Sequence, residues 1–399
     1  MINPPVVALG EGVTLLGVLR AFAHNNITIY STAGSADTST RSRYFQRLPG
    51  LAELRQGLPA TPQAITSALT ASGLAEVVLV PCTDRFSAAV ASLPAQTAST
   101  RIHRSMPVAD TLALFNDKGR FAELLQTTGV AHPRTQLLSG ANDLDATRFA
   151  SGGELFLKPR DSQNFFSRFG VKAFRVTSLA DARTRLAEIQ THGLQMVLQD
   201  YVPGPSDNHY FVDGFRDRDG VVRATFARRR LRIYPPDFGN STAMISVAPE
   251  TMAKPIAGLQ RLLEHTNYRG IFSAEFKLDA RDGEYRILEV NTRPWWFIDF
   301  AVRSGVDVCT MVYADALQRL VSTVDSYDVG ATCIFPYYDL FAIRNLHAAG
   351  GKYSWTRWLT DLTRAQQPIF LWRDPLPAIV GASRILTQAI SGASRKSRT

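Results

Sequence analysis

The chain has 399 residues and a formal net charge of +9, with the 45% hydrophobic and 20% charged content of a soluble globular protein of two or three domains. Three widely separated cysteines fit neither a disulfide framework nor a zinc site. No apolar stretch is long enough to span a membrane, and MINPPVVALG lacks the features of a signal peptide, so we expect a cytoplasmic protein.

Only seven of the 44 basic residues are lysine. The arginine excess fits either a genome that encodes Arg in place of Lys or a protein with an anionic partner, such as a nucleotide or an acidic substrate. The basic runs TRSRYFQR (40–47) and ARRRLRIY (227–234) lie in no recognised nucleic-acid-binding motif. Nucleic acid is therefore not an expected partner.

Residues 1–110 are expected to form an α/β domain. The apolar runs PPVVALG, ITIYST and AEVVLVPC predict strands, and GVTLLGVLRAFAHNN and TDRFSAAVASL have the apolar spacing of helices. Strands that alternate with helices predict a parallel, Rossmann-like sheet. Gly10 and Gly12 follow the first strand, but Leu15 stands where a dinucleotide-binding loop has its third glycine, so a dinucleotide site is not predicted.

Residues 111–320 are expected to form an α+β domain, because the helix NDKGRFAELLQTTGV precedes a section rich in strands. Residues 321–399 are expected to form a C-terminal extension whose basic end, SRKSRT, is disordered. Within it, FLWRDPLPAIVGASRILTQAISG is expected to pack against the domains. The alternative is that this segment lies on a membrane surface.

A hairpin is predicted where GIFSAEFKLDA and GEYRILEVN flank the turn RDG, with Gly283 as the last residue of a three-residue loop. This register places Glu275 directly opposite Glu289. The expected polar face carries eight residues: Ser273, Glu275, Lys277, Asp279, Tyr285, Ile287, Glu289 and Asn291. A two-residue loop would shift the register and mix polar with apolar side chains, so the apolar pattern favours the longer loop.

The opposed glutamates predict a metal site. Two carboxylates about 5 Å apart repel each other by roughly 3 kcal/mol at an effective dielectric constant near 20, so a compensating charge is expected between them. Glu275, Glu289 and Asn291 offer the hard oxygen ligands that suit Mg²⁺, and Mn²⁺ could replace it. The alternative is an exposed face on which water screens the two charges.

Two lysines predict a phosphate site near that metal. Lys158 lies among apolar residues in LFLKPR, where an unpaired ammonium group would be costly to bury. Lys118 opens the helix NDKGRF, where backbone N–H groups also favour anions. Each lysine taken alone would more often be an ordinary surface residue.

Four motifs in this order resemble the ATP-grasp superfamily over residues 110–300. They are NDKGRFAELL…TTGVAHPRT, LFLKPRD, VLQDYVPGPSDN and GIFSAEFKLD…YRILEVNTRPWW. The resemblance implies an ATP-grasp fold of two α+β subdomains that clamp ATP, preceded by the α/β domain. It also implies Lys118 and Lys158 as ligands of the ATP phosphates, and the two opposed glutamates with the neighbouring asparagine as metal ligands.

The resemblance further implies a hinge over residues 199–204 beside adenine. Gln199 would meet the exocyclic amine, Asp200 would lie next to it, and Val202 would offer its backbone. Asp207 would bind the ribose.

Arg293 matches the arginine of the family that holds the transferring phosphate or the substrate carboxylate. ARRRLRIYPPDFG resembles a segment in which one arginine meets the γ-phosphate, and Arg228 is chosen from residues 228–232; the alternative is a solvated basic strand. Trp295 and Trp296 would wall the acceptor pocket, unless one of them packs in the core. The loop after the second lysine departs from the glycine-rich pattern of the family.

The resemblance implies an ATP-dependent ligase that joins a small carboxylate to a small amine through an acyl-phosphate. One alternative is an ATP-binding regulator or scaffold without turnover, and another is an ATP-dependent phosphotransferase. The sequence leaves open whether the chain forms a homodimer.

Overall fold

The computed structural model describes residues 3–145, 147, 154–160, 165, 168–236 and 239–384. Its N-terminal sheet has four parallel strands in the order β2-β1-β3-β4: β1 (Val6–Leu9), β2 (Ile29–Ser31), β3 (Glu76–Pro81) and β4 (Arg101–His103). The helices of this region are α1 (Gly12–His24), α2 (Pro62–Ser72) and α3 (Asp84–Ala91). The prediction of a parallel α/β domain is confirmed.

A side chain of the protein accepts a hydrogen bond from the backbone at the N-terminus of α1. The Asp37 carboxylate accepts hydrogen bonds from the backbone N–H of Gly12 (2.9 Å) and of Ser39 (2.8 Å). A side-chain carboxylate therefore occupies the place at the helix N-terminus that a dinucleotide phosphate would take. This agrees with the missing third glycine in the loop before α1.

The second sheet, which we call the lid sheet, has the order β5-β8-β6-β7 and is antiparallel. Its strands are β5 (Thr135–Leu138), β6 (Leu155–Pro159), β7 (Phe174–Val176) and β8 (Met196–Asp200). Helix α6 (Leu179–Gln190) packs on this sheet, whereas α4 (Ala109–Asn116) and α5 (Lys118–Thr128), which precede β5, contribute apolar residues to the core of the third sheet. Alternating apolar residues of β6 and β8 pack against α6, which gives this small sheet its own core.

The third sheet is antiparallel with the order β13-β12-β9-β10-β11-β14. Its strands are β9 (His209–Arg216), β10 (Val222–Tyr234), β11 (Asn240–Ser246), β12 (Gly270–Leu278), β13 (Tyr285–Asn291) and β14 (Thr332–Ile334). The remaining helices are α7 (Ala253–His265), α8 (Ile298–Arg303), α9 (Val308–Ala316), α10 (Pro336–Ala348) and α11 (Trp355–Arg364). One face of the sheet packs against α7, and the other packs in part against α8 and α9. The rest of this second face carries polar side chains.

The hairpin of β12 and β13 pairs Glu275 with Glu289, as predicted. The turn differs from the prediction. The backbone N–H of Asp279 donates to the carbonyl of Glu284 (2.9 Å), so that the loop has four residues, 280–283, and not three. The register is therefore one residue out of step at the turn.

A β-bulge at Leu288 restores the register, because the strand pairing passes from Glu289 directly to Ile287. Tyr285 and Ile287 consequently turn to the apolar face, where Ile287 is buried with Phe276. The prediction that these two residues share the polar face is wrong. A turn is often marked by a glycine, whereas the extra residue of a bulge has no equally clear signal in the sequence.

The described part of the C-terminal extension packs against both neighbouring regions. Strand β14 extends the six-stranded sheet, and the buried Asp374 carboxylate accepts from Arg20 Nε (3.0 Å) and Ser42 Oγ (2.8 Å) of the N-terminal domain. Ile369 and Ala378 are buried with the apolar residues of α1 and α10, as the domain-packing alternative predicted. The basic tail lies in residues 385–399, outside the described residues.

Among the described residues, we find no helix whose length and apolar content would let it cross a membrane.

Candidate active site

A cavity of about 1230 Å³ lies where the lid sheet, the six-stranded sheet and the N-terminal domain meet. Ten of the eleven predicted site residues line it: Lys118, Lys158, Gln199, Asp200, Val202, Arg228, Glu275, Glu289, Asn291 and Arg293. They come from helix α5, five strands (β6, β8, β10, β12 and β13), the segment after β8 and the segment after β13. The fold therefore brings together residues that are far apart in the sequence.

Four lysines line the cavity, and two of them, Lys118 and Lys158, are close enough for the charge of Lys118 to act on Lys158. Lys158 projects from β6, and its Nζ donates to Gln199 Oε1 at 2.6 Å. Burial and the nearby charge of Lys118 lower the pKa of Lys158 from 10.5 to about 8, against the opposing effect of Glu289 and Glu275. An anion in this cavity would favour the charged form of Lys158.

The local structure that holds Lys118 begins with Asp117, the N-cap of α5. Its carboxylate accepts from the backbone N–H of Gly119 (2.9 Å) and from Arg160 Nη2 (2.6 Å). Arg160 follows β6 directly, so this ion pair ties the start of α5 to the strand that carries Lys158. The two predicted phosphate ligands are thereby fixed relative to each other.

A row of polar residues, which we call the cavity row, crosses five adjacent strands of the six-stranded sheet. It consists of Glu289 (β13), Glu275 (β12), His209 (β9), Arg230 (β10) and Ser241 (β11), all of which line the cavity. Glu275 Oε1 accepts from His209 Nδ1 (2.6 Å) and from Arg230 Nη2 (3.3 Å), and Arg230 Nε donates to Ser241 Oγ (2.8 Å). The row forms one hydrogen-bonded chain from β12 to β11.

The cavity row keeps Glu275 ionised. Burial by itself would raise the pKa of the Glu275 carboxyl, but the hydrogen bond from His209 and the charges of Arg230 and Lys158 outweigh burial and lower that pKa to about 2. Glu289 is exposed, and among the described residues its Oε1 accepts one long hydrogen bond, from Asn291 Nδ2 at 3.4 Å. The two opposed carboxylates therefore differ strongly in how firmly they are held.

A second row, the buried row, runs beside the first and consists of Ser273 (β12), Asp213 (β9) and Arg228 (β10). Arg228 donates from Nε and Nη2 to the two carboxylate oxygens of Asp213, at 2.5 and 3.2 Å, and its guanidinium stacks 4.1 Å from the ring centre of Phe211. Burial raises the pKa of Asp213, although the charge of Arg228 opposes this effect. The predicted contact of Arg228 with a phosphate remains a prediction. Within residues 228–232, a described hydrogen bond to a predicted metal ligand comes from Arg230, and the sequence had left the choice among these arginines open.

Arg293 is held by the N-terminal domain. It donates to Asp84 of α3 from Nε (2.7 Å) and Nη2 (3.0 Å), and a longer bond from Nη2 reaches Asn291 Oδ1 (3.4 Å). Burial lowers the pKa of Arg293, but the adjacent Asp84 carboxylate outweighs burial and raises it. The guanidinium therefore stays charged, and its position depends on contact between two domains.

Asp207 is the predicted residue that the structure does not bring to the cavity. Its carboxylate is bound to Arg229 Nη2 at 2.6 Å, on the opposite face of β10 from the two rows. Its predicted contact with a ribose remains a prediction. Trp295 and Trp296 both line the cavity, and Trp295 is also buried in the core with Phe297, so it serves in packing as well as in the wall.

Sequence reasoning missed His209, Asp213 and Asp84. Alternation along HYFVDGFR places His209, Phe211 and Asp213 on one face of β9, and a carboxylate inside an apolar strand was a usable signal. Asp84 had no such signal, because an acidic residue in the first turn of a helix is common in any helix. The observed N-cap is Thr83, which accepts from the backbone N–H of Phe86.

The donor set fits a hard divalent cation that has further ligands. Glu275, Glu289 and Asn291 supply carboxylate and amide oxygens from two paired strands. Within the part of the chain that the structure describes, no group of three or more His, Cys, Asp or Glu side chains could hold a metal ion. A cation here would therefore need additional oxygens, such as those of a phosphate or water.

No protein-family model matches the chain. One curated relative, the D-aspartate ligase of Enterococcus faecium (strain Aus0004), is 27% identical over 166 residues, which cover 40% of this chain and 39% of the relative. The chain thus matches less than half the length of that enzyme.

Solved structures match most of the chain at low identity. The biotin carboxylase domain dimer of Hydrogenobacter thermophilus 2-oxoglutarate carboxylase, in complex with MgADP, ADP and bicarbonate, has a TM-score of 0.63 and 16% identity, over 83% of this chain and 74% of that one. The L-amino acid ligase of Bacillus licheniformis has a TM-score of 0.58 and 15% identity, over 80% of this chain and 75% of that one. Both are ATP-grasp folds. The chain therefore has an ATP-grasp fold, as its four motifs predicted.

Proposed function

We propose that the chain is an ATP-dependent ligase that activates a substrate carboxylate and couples it to an amine, with release of ADP and phosphate. One observation carries the proposal: the opposed pair Glu275 and Glu289 lies in the same cavity as Lys118 and Lys158. Carboxylates for a cation and ammonium groups for phosphates, on an ATP-grasp fold, together form a site for a metal–nucleotide complex.

The lysines and the hinge would bind the nucleotide. Lys118 and Lys158 would neutralise phosphate oxygens, and Val202, which lines the cavity, would offer its backbone to the base. Gln199 Oε1 already accepts from Lys158, and its second lone pair is the one that the exocyclic amine would use. Asp200, next to Gln199 in the hinge, also lines the cavity.

Glu275, Glu289 and Asn291 would hold Mg²⁺, or Mn²⁺ in its place. When bound, the cation would offset the negative charge that develops on the phosphoryl oxygens during transfer. Arg230 and Arg293 add fixed positive charge on either side of these ligands. Arg293 is braced by Asp84, which positions it for a substrate carboxylate or the transferring phosphate.

The proposed reaction has two steps. A carboxylate oxygen of the substrate attacks the γ-phosphorus of ATP, and the bond from this phosphorus to ADP breaks. The amine nitrogen then attacks the acyl carbon of the resulting acyl-phosphate, phosphate leaves, and the nitrogen loses a proton. The walls of the cavity, including Trp295 and Trp296, would limit access of water, which would otherwise hydrolyse the acyl-phosphate.

The names of the relatives support amino acids as the class of substrate. The matched enzymes are called D-aspartate ligase and L-amino acid ligase. We therefore propose that at least one of the two substrates is an amino acid, and that the reaction takes place in the cytoplasm. The biotin carboxylase domain above is described as a dimer; sedimentation measures whether this chain is one.

The test is phosphate release from Mg-ATP with a panel of D- and L-amino acids, including both aspartates, each carboxylate with and without an amine. We expect release to require both substrates and to fall by at least about 100-fold in Glu289→Gln, because one transition-state charge contact is lost. Nucleotide binding without substrate-dependent release would favour the regulator. A stable phosphorylated product formed without an amine would favour the phosphotransferase.

A further inference from the structure

His209 is a buried polar residue whose role the proposed reaction leaves open. It begins β9, in the middle of the cavity row, and only 15% of its side chain is exposed. Its Nδ1 lies 2.6 Å from Glu275 Oε1. Because an ionised carboxylate can only accept a hydrogen bond, the Nδ1 must carry the proton and donate it.

The two hydrogen bonds described for Glu275 both end on the same oxygen. Oε1 accepts from His209 on one adjacent strand and from Arg230 on the next strand, so its lone pairs are engaged. These donors leave Oε2 as the oxygen that Glu275 can offer to a ligand in the cavity. They also restrict the rotation of the carboxylate, because rotating it would break both hydrogen bonds.

Glu289, directly opposite, has no comparable support among the described residues. Its one described hydrogen bond, from Asn291, is 3.4 Å long, and its side chain is exposed. The Glu275 carboxylate is therefore oriented before a ligand binds, whereas the Glu289 side chain can still change its orientation. An oriented ligand loses less conformational freedom on binding than an unsupported one.

We propose that His209 is a positioning residue for Glu275: its Nδ1–H holds Oε1 so that Oε2 is presented to a divalent cation. This inference rests on the proposed function, since it takes Glu275 as a metal ligand. Loss of this donor should weaken cation binding while leaving the fold and the metal-free nucleotide site intact. His209 need not touch the substrate or the nucleotide to have this effect.

Two variants of similar size test the donor itself. Asn places an amide nitrogen on Cγ, where His carries Nδ1, whereas Leu places a methyl group there. We expect His209→Leu to weaken Mn²⁺ binding in the presence of ADP by about 10- to 100-fold, the usual effect of losing a hydrogen bond to a metal ligand. His209→Asn should remain within about threefold of the wild type, because the donor is kept.

Mn²⁺ affinity is measured from the electron paramagnetic resonance signal of free Mn²⁺, with and without ADP. Thermal unfolding without metal establishes that each variant folds, and His24→Leu, at the exposed end of α1, is the matched histidine control. ADP affinity is also measured in excess EDTA. A positioning role leaves this metal-free affinity unchanged, whereas direct contact of His209 with the nucleotide would lower it.

Three results would overturn the inference. His209→Leu could bind Mn²⁺ as tightly as the wild type, both variants could be equally weak, or the loss could appear fully in the metal-free ADP affinity. Each of these requires that the wild type binds Mn²⁺ with ADP. If the wild type itself shows no such binding, the metal site of the proposed function fails with it, so the two failures are distinguishable.

Discussion

Arg228 and Arg230 are two residues apart on the same face of β10, yet their surroundings differ. Arg228 lies in the buried row, paired through two hydrogen bonds with Asp213 and stacked on Phe211. Arg230 lies in the cavity row, where it divides its donors between Glu275 and Ser241. Both guanidinium groups are nearly inaccessible to solvent, so burial alone does not separate their roles.

The partner of each arginine makes the difference. Asp213 has no described task other than holding Arg228 and Ser273, and this makes the buried row a structural unit. Glu275 is a predicted metal ligand, and this makes Arg230 part of the site. We therefore expect disruption of the buried row to reduce stability and disruption of the cavity row to reduce activity.

Asp213→Ala should have the largest effect on stability. It leaves the Arg228 guanidinium buried without its carboxylate, and breaking a buried pair in this way lowers the free energy of unfolding by about 3–5 kcal/mol. Urea denaturation measures the change. Glu284→Ala, which removes an exposed partner of Lys254, is the control and should change little. A loss below about 1 kcal/mol for Asp213→Ala would contradict a structural role for the buried row.

Arg230→Met should act mainly on the reaction. Glu275 loses one of its two donors and the site loses a fixed charge, so substrate-dependent phosphate release should fall by about 100-fold or more. The free energy of unfolding should change less than in Asp213→Ala. Arg261→Met, on the exposed side of α7, is the control for loss of an arginine. Unchanged turnover in Arg230→Met would contradict a role of the cavity row in the reaction.

Lys158 links the site to pH. Its pKa of about 8 means that the free protein has largely lost this proton at about pH 9, while a bound phosphate favours the charged form. ADP binding should therefore take up a proton at this pH, and ADP affinity should fall as pH rises above 8. Calorimetry in two buffers of different ionisation enthalpy measures the uptake. Lys158→Met should abolish this proton uptake. If the uptake persists in that variant, a group other than Lys158 takes up the proton.

Asp207→Asn should have the smallest effect on stability. Arg229 points to the opposite face of β10 from its two neighbours, and its pair with Asp207 is partly exposed, with 34% and 40% of the side chains accessible. Such pairs contribute less than about 1 kcal/mol, which urea denaturation can test. ADP affinity of the same variant tests the predicted ribose contact: a tenfold loss would support this contact, and an unchanged affinity would count against it.

Strand pattern and turn residues were sufficient to predict that Glu275 pairs with Glu289. They were not sufficient to predict the strand register between the turn and this pair. The predicted three-residue loop and the observed four-residue loop with a bulge at Leu288 give the same pairing at the glutamates. They differ between these points, where Tyr285 and Ile287 change faces. Apolar alternation detects the face of most residues but cannot locate one inserted residue, because the alternation resumes after it.

The sequence by itself determined the order of helices and strands, the ATP-grasp motifs and the set of charged residues that meet at the cavity. Local propensity and alternation are properties of neighbouring residues, so they can be read from the chain. Only the tertiary structure decided which carboxylate neutralises each arginine. Arg293 meets Asp84 across 209 residues, and Arg230 meets Glu275 across 45, because strand order and domain contact place them together. The strength of an ion pair depends on that placement and on burial, and neither is written in local sequence.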